Sequence, residues 1–145
     1  MTVVSVDQDP AALSMTLVAA FSAPVEAVWE LWSDPRKLER WWGPPSHPAT
    51  FEAYELSPGG RVAYFMTSPE GERYPGAWRV VSVDPPRSIQ FNEGFADANG
   101  DLDPEQPITL MTASLSSAGG GTRMELRCQF ASPEDMQQIL AMGTA

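Results

Sequence analysis

Arg40-Trp41-Trp42-Gly43-Pro44-Pro45 sets two adjacent indoles at the end of a helical pattern and stops the chain with Gly-Pro-Pro. Neighbours on a helix point about 100° apart, so both indoles cannot face one core. One is expected to pack under the helix and the other to line a cavity or its mouth. Position at the helix end favours Trp41 as the core anchor and Trp42 as the wall residue.

Upstream, Ser33-Asp34-Pro35 starts this second helix, with Asp34 as its N-cap. Before it, Ser22-Ala23-Pro24 opens a first helix whose Val25, Val28, Trp29 and Trp32 recur at i, i+3, i+4 and i+7. Earlier still, Leu13, Met15, Leu17, Ala19 and Phe21 alternate with Ser14, Thr16, Val18 and Ala20, the pattern of a half-buried strand. Residues 1–12 read as a poorly ordered arm, and residues 13–145 as one domain.

Downstream of the tryptophans the period changes to two. Strands are predicted at Ala49–Leu56, Arg61–Ser68, Tyr74–Val83, Ser88–Phe95, Pro107–Ser116 and Thr122–Ala131. Their separators carry turn residues, among them Ser57-Pro58-Gly59-Gly60, Pro69-Glu70-Gly71-Glu72 and Gly119-Gly120-Gly121. Short separators imply hairpins, hence an antiparallel meander. A last helix begins at Ser132-Pro133, with Asp135 at the capping-box position, an inward face of Met136, Ile139 and Leu140, and Gly143 near its end. The fold expected is α+β: a seven-stranded antiparallel sheet in the order β-α-α-β6-α, wrapped around the C-terminal helix with a pocket between them.

Composition narrows the roles. Nine basic residues face 19 acidic ones, a formal net charge of −10, and Lys37 is the single lysine. Such a field repels phosphate backbones and anionic membrane surfaces, which argues against nucleic-acid and membrane partners. One cysteine, Cys128, and one histidine, His47, exclude an internal disulfide and make a structural zinc site implausible. No secretory signal is visible and the apolar run Leu13–Phe21 is too short to span a bilayer, so a cytoplasmic protein is expected. The acidic loop Asp97–Pro104 lacks the glycine and glutamate spacing of a calcium loop; no metal and no cofactor is implied.

Strand parity and the last helix nominate Trp42, Tyr64, Met66, Trp78, Phe91, Met111, Met136 and Leu140 as ligand-binding residues. Each taken alone is as well explained by core packing. Together with the seven methionines they describe an adaptable apolar wall. Two weak catalytic candidates stand apart. Glu93 interrupts the apolar pattern beside Phe91 and Phe95, and His47 sits in the Pro-rich loop after the tryptophans. Arg79, Arg123 and Arg127 fall on the outer face, and Cys128 reads as a small buried hydrophobe.

Several ordered strings carry a resemblance: Pro24-Val25-Glu26-Ala27-Val28-Trp29, Trp41-Trp42-Gly43-Pro44, Gly59-Gly60, Tyr74-Pro75-Gly76, Val83-Asp84-Pro85-Pro86-Arg87, Gly94-Phe95-Ala96-Asp97, Gly120-Gly121-Thr122-Arg123-Met124 and Met136 through Met142-Gly143. From about Leu13 onward the chain resembles the activator-of-heat-shock-protein-90-ATPase-like branch of the START and birch-pollen-allergen (SRPBCC) superfamily. The resemblance implies a helix-grip fold with an internal hydrophobic cavity. Such proteins usually end in a long helix crossing the whole sheet, whereas Pro133–Met142 spans only about 15 Å. The function expected is non-catalytic binding of a small hydrophobic molecule. Its alternatives are a cyclase, dehydratase or hydrolase using Glu93 or His47 as proton shuttle, and an accessory protein of a chaperone ATPase. An edge strand or an exposed tryptophan would also suit a homodimer.

Overall fold

A computed structural model describes residues 2–141. Its eleven elements are β1 (Thr2–Asp9), β2 (Ser14–Phe21), α1 (Val25–Ser33), α2 (Pro35–Leu38), β3 (Ala49–Tyr54), β4 (Arg61–Thr67), β5 (Arg73–Asp84), β6 (Ser88–Phe95), β7 (Ile108–Ala118), β8 (Gly121–Gln129) and α3 (Pro133–Ala141). The strands form one antiparallel sheet in the order β1-β2-β8-β7-β6-β5-β4-β3. Every neighbouring pair except β2–β8 is consecutive in sequence, and the connection through α1 and α2 carries the chain from β2 to β3 at the far edge of the sheet.

The expected seven strands become eight. Residues assigned to an arm pair with β2 from Thr2↔Ala20 to Asp9↔Ser14 through a turn closed by Ala12 N–H to Asp9 O and Leu13 N–H to Pro10 O. Val3, Val4 and Val6 stay exposed, so backbone hydrogen bonds rather than burial hold β1 in place. A register shift between Val3 and Ser5 further blurs its period.

The helices follow their local chemistry. Asp34 caps α2 as expected, its carboxylate accepting from Arg36 N–H at 2.9 Å. Pro35 holds the first helical position, and the element closes after one turn. In α1 the proline precedes the helix as its N-cap residue, and Val28, Trp29 and Trp32 form the buried face. Ser132 accepts from Asp135 N–H at 3.1 Å to start α3. The expected Met142 and Gly143 lie outside the described residues. Among those described, no helix is long and apolar enough to cross a membrane.

Alternation gives the sheet two unlike faces. Ala19, Val62, Trp78, Val80, Ile89, Phe91, Met111, Ala113 and Met124 are buried on the inner face, where α1, Leu38 of α2 and Met136 of α3 pack. Arg79, Arg123 and Arg127 are exposed on the other. The inner face is unusually rich in rings. Trp32 of α1 meets Trp41, Trp42, Trp78 and Phe91 with centroids 4.8–6.4 Å apart.

Replacing Trp32 with alanine therefore removes one wall from four ring contacts at once. Urea denaturation is expected to register a loss of about 3–5 kcal/mol. Val4→Ser, at a side chain on the exposed β1, should stay within about 0.5 kcal/mol of wild type.

Candidate functional site

Trp42, Tyr64, Trp78 and Phe91 come together in one aromatic cluster with Trp32, Phe51 and Tyr54. Trp78 and Phe91 are stacked, with centroids 3.9 Å apart and planes 17° apart. Trp42 stands edge-on to Trp78 at 4.9 Å and to Tyr64 at 6.0 Å. Tyr64 stacks on Phe51 at 5.0 Å. The rings are in contact with one another. Met111 and Met136 are buried in the same core, while Met66 and Leu140 are partly buried against it.

The two tryptophans of the opening motif lie in the turn after α2, and the roles expected for them are exchanged. Trp41 donates its indole N–H to Leu31 O at 3.0 Å and borders a half-open cleft of about 380 Å³ with Phe21, Leu31, Trp32, Lys37, Arg40 and Met124. Trp42 lies over the sheet. A second cleft of about 300 Å³ is lined by Val25, Glu26, Pro86, Arg87, Leu115, Ser116 and Ser117. None of the eight expected ligand-binding residues lines either cleft.

One polar group interrupts this inner face. Register places Glu93 between Trp78 on β5 and Thr109 on β7, so its side chain points inward. Tyr64 donates its hydroxyl to Glu93 Oε1 at 2.6 Å. Glycine makes this contact possible. Tyr64 pairs with Gly76 across β4 and β5, and a Cβ at position 76 would lie 2.4 Å from the phenol ring. At that distance the ring would have to move, so Gly76 is the seat on which it rests.

Burial sets the protonation behaviour of the pair. Glu93 keeps partial exposure as a residue, yet its carboxyl is desolvated, which raises its pKa above the ordinary 4.5; the Tyr64 hydrogen bond opposes this. Burial holds the Tyr64 hydroxyl well above its ordinary value, and the Glu93 charge and hydrogen bond add to the effect. Burial also pushes the Cys128 thiol up to about 12, with a smaller contribution from Glu93. A thiol held so high is neutral and unreactive at physiological pH, in keeping with its reading as a small hydrophobe.

His47 stands elsewhere. It shares a hydrogen bond with Ser46 at 2.8 Å and faces the Tyr74 ring at 6.0 Å. The acidic loop is committed to other partners. Asp97 caps the backbone of Asn99 and Asp101, while Asp101 binds Arg61 at 2.9 Å and Arg79 at 3.4 Å. No group of metal-ligating side chains occurs among the described residues.

Sequence reasoning named Tyr64 only as an apolar wall and passed over Thr109 and the seat at Gly76. A signal for Thr109 existed, because it shares parity with Met111, Ala113 and Leu115. For the seat there was none, since the ring and the glycine meet only through strand register.

A wide antiparallel sheet that holds helices on one face and an ionisable pair among aromatic rings is a helix-grip domain of the START/SRPBCC kind. The chain belongs to the family described as activator of Hsp90 ATPase homolog 1-like protein, which matches residues 22–145. It is similar to protein Ms6760 from Mycobacterium smegmatis, with 45% identity over 97% of this chain and 86% of that one and a TM-score of 0.87. A protein from Arthrobacter aurescens is similar at 46% identity, over 98% and 83% of the two chains, with a TM-score of 0.91. The AHSA1 protein from Silicibacter pomeroyi shares the fold at 23% identity, over 88% of each chain, with a TM-score of 0.71. No curated protein matches the chain.

Two outcomes test this geometry. Gly76→Ala should destabilise by about 1–3 kcal/mol through overpacking, and by clearly less in a Tyr64→Leu background, as a double-mutant cycle would measure. Glu93→Gln reports on the carboxyl. Because its folded pKa is raised, the unfolded chain loses its proton first. This residue's contribution to stability is thus full below about pH 4.5, falls as pH rises, and is lost above the raised pKa. The melting temperature of Glu93→Gln minus that of wild type should therefore grow from acid to neutral pH.

Proposed function

We propose that this protein binds a small, largely apolar molecule between the inner face of its sheet and α3, without catalysing its conversion. The observation that carries this reading is Glu93, an inward carboxyl on a face otherwise built of rings and aliphatic side chains. Burying a carboxyl costs free energy that an apolar residue would not, so a core designed only for packing has no use for it. A binding face does: apolar walls supply affinity, and a few placed polar groups fix orientation.

The cover supports the same reading. Within α3 only Met136 is buried, and Ile139 and Leu140 are partly buried against the core. An element tied by so few apolar contacts opens at low cost. It also leaves β8 at the end of the sheet where Thr109 and Glu93 lie, because Leu110 pairs with Gln129, the last residue of that strand. A guest that lifts α3 therefore reaches the polar pair first.

Among the described residues, no set of groups on this face forms a nucleophile with its base. Cys128 is held neutral, and His47 has its hydrogen bond with Ser46 in a separate loop. A cyclase, dehydratase or hydrolase role is the alternative use of this site, and it would fall to Glu93, since His47 lies in a separate loop. The family description favours a further reading, stimulation of a chaperone ATPase through the exterior of the domain. An ATPase rate unchanged by excess protein removes that one.

Titration with N-phenyl-1-naphthylamine, an uncharged fluorophore, checks the binding reading. Saturable emission at one probe per chain is expected, with Met136→Asp altering the affinity at least severalfold. Linear, unsaturable uptake would refute it.

A further inference from the structure

The reading above leaves the chemistry of the guest open, and the surroundings of Glu93 narrow it. Trp78 and Thr109 flank Glu93 across the two neighbouring strands. Trp78 is 1% exposed and Thr109 4% exposed, and neither Trp78 Nε1 nor Thr109 Oγ1 finds a hydrogen-bond partner within the protein. Buried polar atoms are satisfied in the great majority of cases, and each exception asks for a reason. Here both belong to residues paired with Glu93, whose Oε1 accepts from Tyr64. The strands on either side of Glu93 thus each carry a buried polar atom without a hydrogen-bond partner in the protein.

On the premise that this face binds an apolar molecule, we propose that the guest carries one carbonyl oxygen, which accepts a hydrogen bond from the Glu93 carboxylic acid. Tyr64 positions the carboxyl by occupying Oε1, which leaves the acidic O–H on the other oxygen as the donor. Thr109 Oγ1 and Trp78 Nε1 stand beside it as further partners. A protonated acid among rings is a stronger donor than one in water, because fewer water molecules compete for its proton. Desolvation acts in the required direction on Glu93.

The rival chemistry is a cation. A carboxylate among aromatic rings would also suit an amine, through charge pairing and ring faces. The two differ in proton linkage. A carbonyl oxygen can only accept and so binds the protonated acid; its affinity is full at low pH and falls as pH rises through the raised pKa. An amine binds the carboxylate, so its affinity rises over the same interval. The titratable groups that act on Glu93 from the elements around it are Tyr64 on β4 and Cys128 on β8. Both stay neutral in that interval, so neither imitates either trend.

Three shape-matched probes separate the cases in NMR titrations of the whole chain: 2-acetylnaphthalene, 2-isopropylnaphthalene and 1-(2-naphthyl)ethylamine. The ketone should bind about tenfold more tightly than the isopropyl compound, the worth of one good hydrogen bond. That advantage should weaken as pH rises in wild type. In Glu93→Gln, whose amide donates at every pH, its pH dependence should vanish; in Glu93→Leu the advantage itself should be lost. Thermal melts of both variants establish that they are folded. Equal binding of ketone and isopropyl compound would overturn the inference while leaving the binding reading intact. Tighter binding of the amine, abolished by Glu93→Gln, would overturn it in favour of a counter-ion. Failure of all three probes to bind would remove the binding reading and the inference with it.

Discussion

The stacked contact of Trp78 on Phe91 is the constraint from which the rest of the molecule follows. The two rings lie on adjacent strands in the middle of the inner face, with centroids 3.9 Å apart. The first two helical elements reach the sheet through them: Trp32 of α1 meets both rings, and so does Trp42, which follows α2. Large rings bury much apolar area and fix relative orientation through edge-to-face contacts. A nine-residue helix and a single helical turn have little stability of their own, so this platform gives them their place.

The same platform produces the chemistry beside it. Rings that exclude water from Trp78 and Phe91 also exclude it from Glu93, the next inward residue on β6. Desolvation lifts the carboxyl, the phenol of Tyr64 and the thiol of Cys128 together, so the interior stays uncharged over a wider pH range than free side chains would. Gly76 lets the phenol lie close enough to hold one oxygen of the acid. Packing and protonation are here two consequences of one arrangement.

How far the sequence disclosed this depended on which interactions leave a period. The inner-face strands were legible because Trp78, Val80, Ile89, Phe91, Met111 and Ala113 alternate with outward residues. The caps at Asp34 and Ser132 were legible because capping residues are local, whereas α2 ends at Leu38, short of the stop expected at Gly43. β1 was not, since its valines are exposed and its hold on β2 is through the backbone, which carries no residue signature. Glu93 could be flagged as a break in pattern, but its partner could not, because Tyr64 lies 29 residues away and meets it only through strand pairing. The partners of the acidic loop left no local signal either: Asp101 binds Arg61 on β4 and Arg79 on β5.

Charge placement argues for how such a site would discriminate. Nearly all the acidic excess of this chain lies on its surface, where it disfavours the approach of anions, and the one inward acid disfavours them again. Apolar walls distinguish one apolar guest from another only weakly, by about 1–3 kcal/mol per methylene. A buried group that must be satisfied discriminates more sharply, because a guest lacking the complementary atom leaves it unpaired. Shape alone cannot therefore be what selects a ligand on a face made of adaptable methionine and ring surfaces. The selective element is the one place where that face is polar, and Tyr64 seated on Gly76 is what holds it in a single orientation.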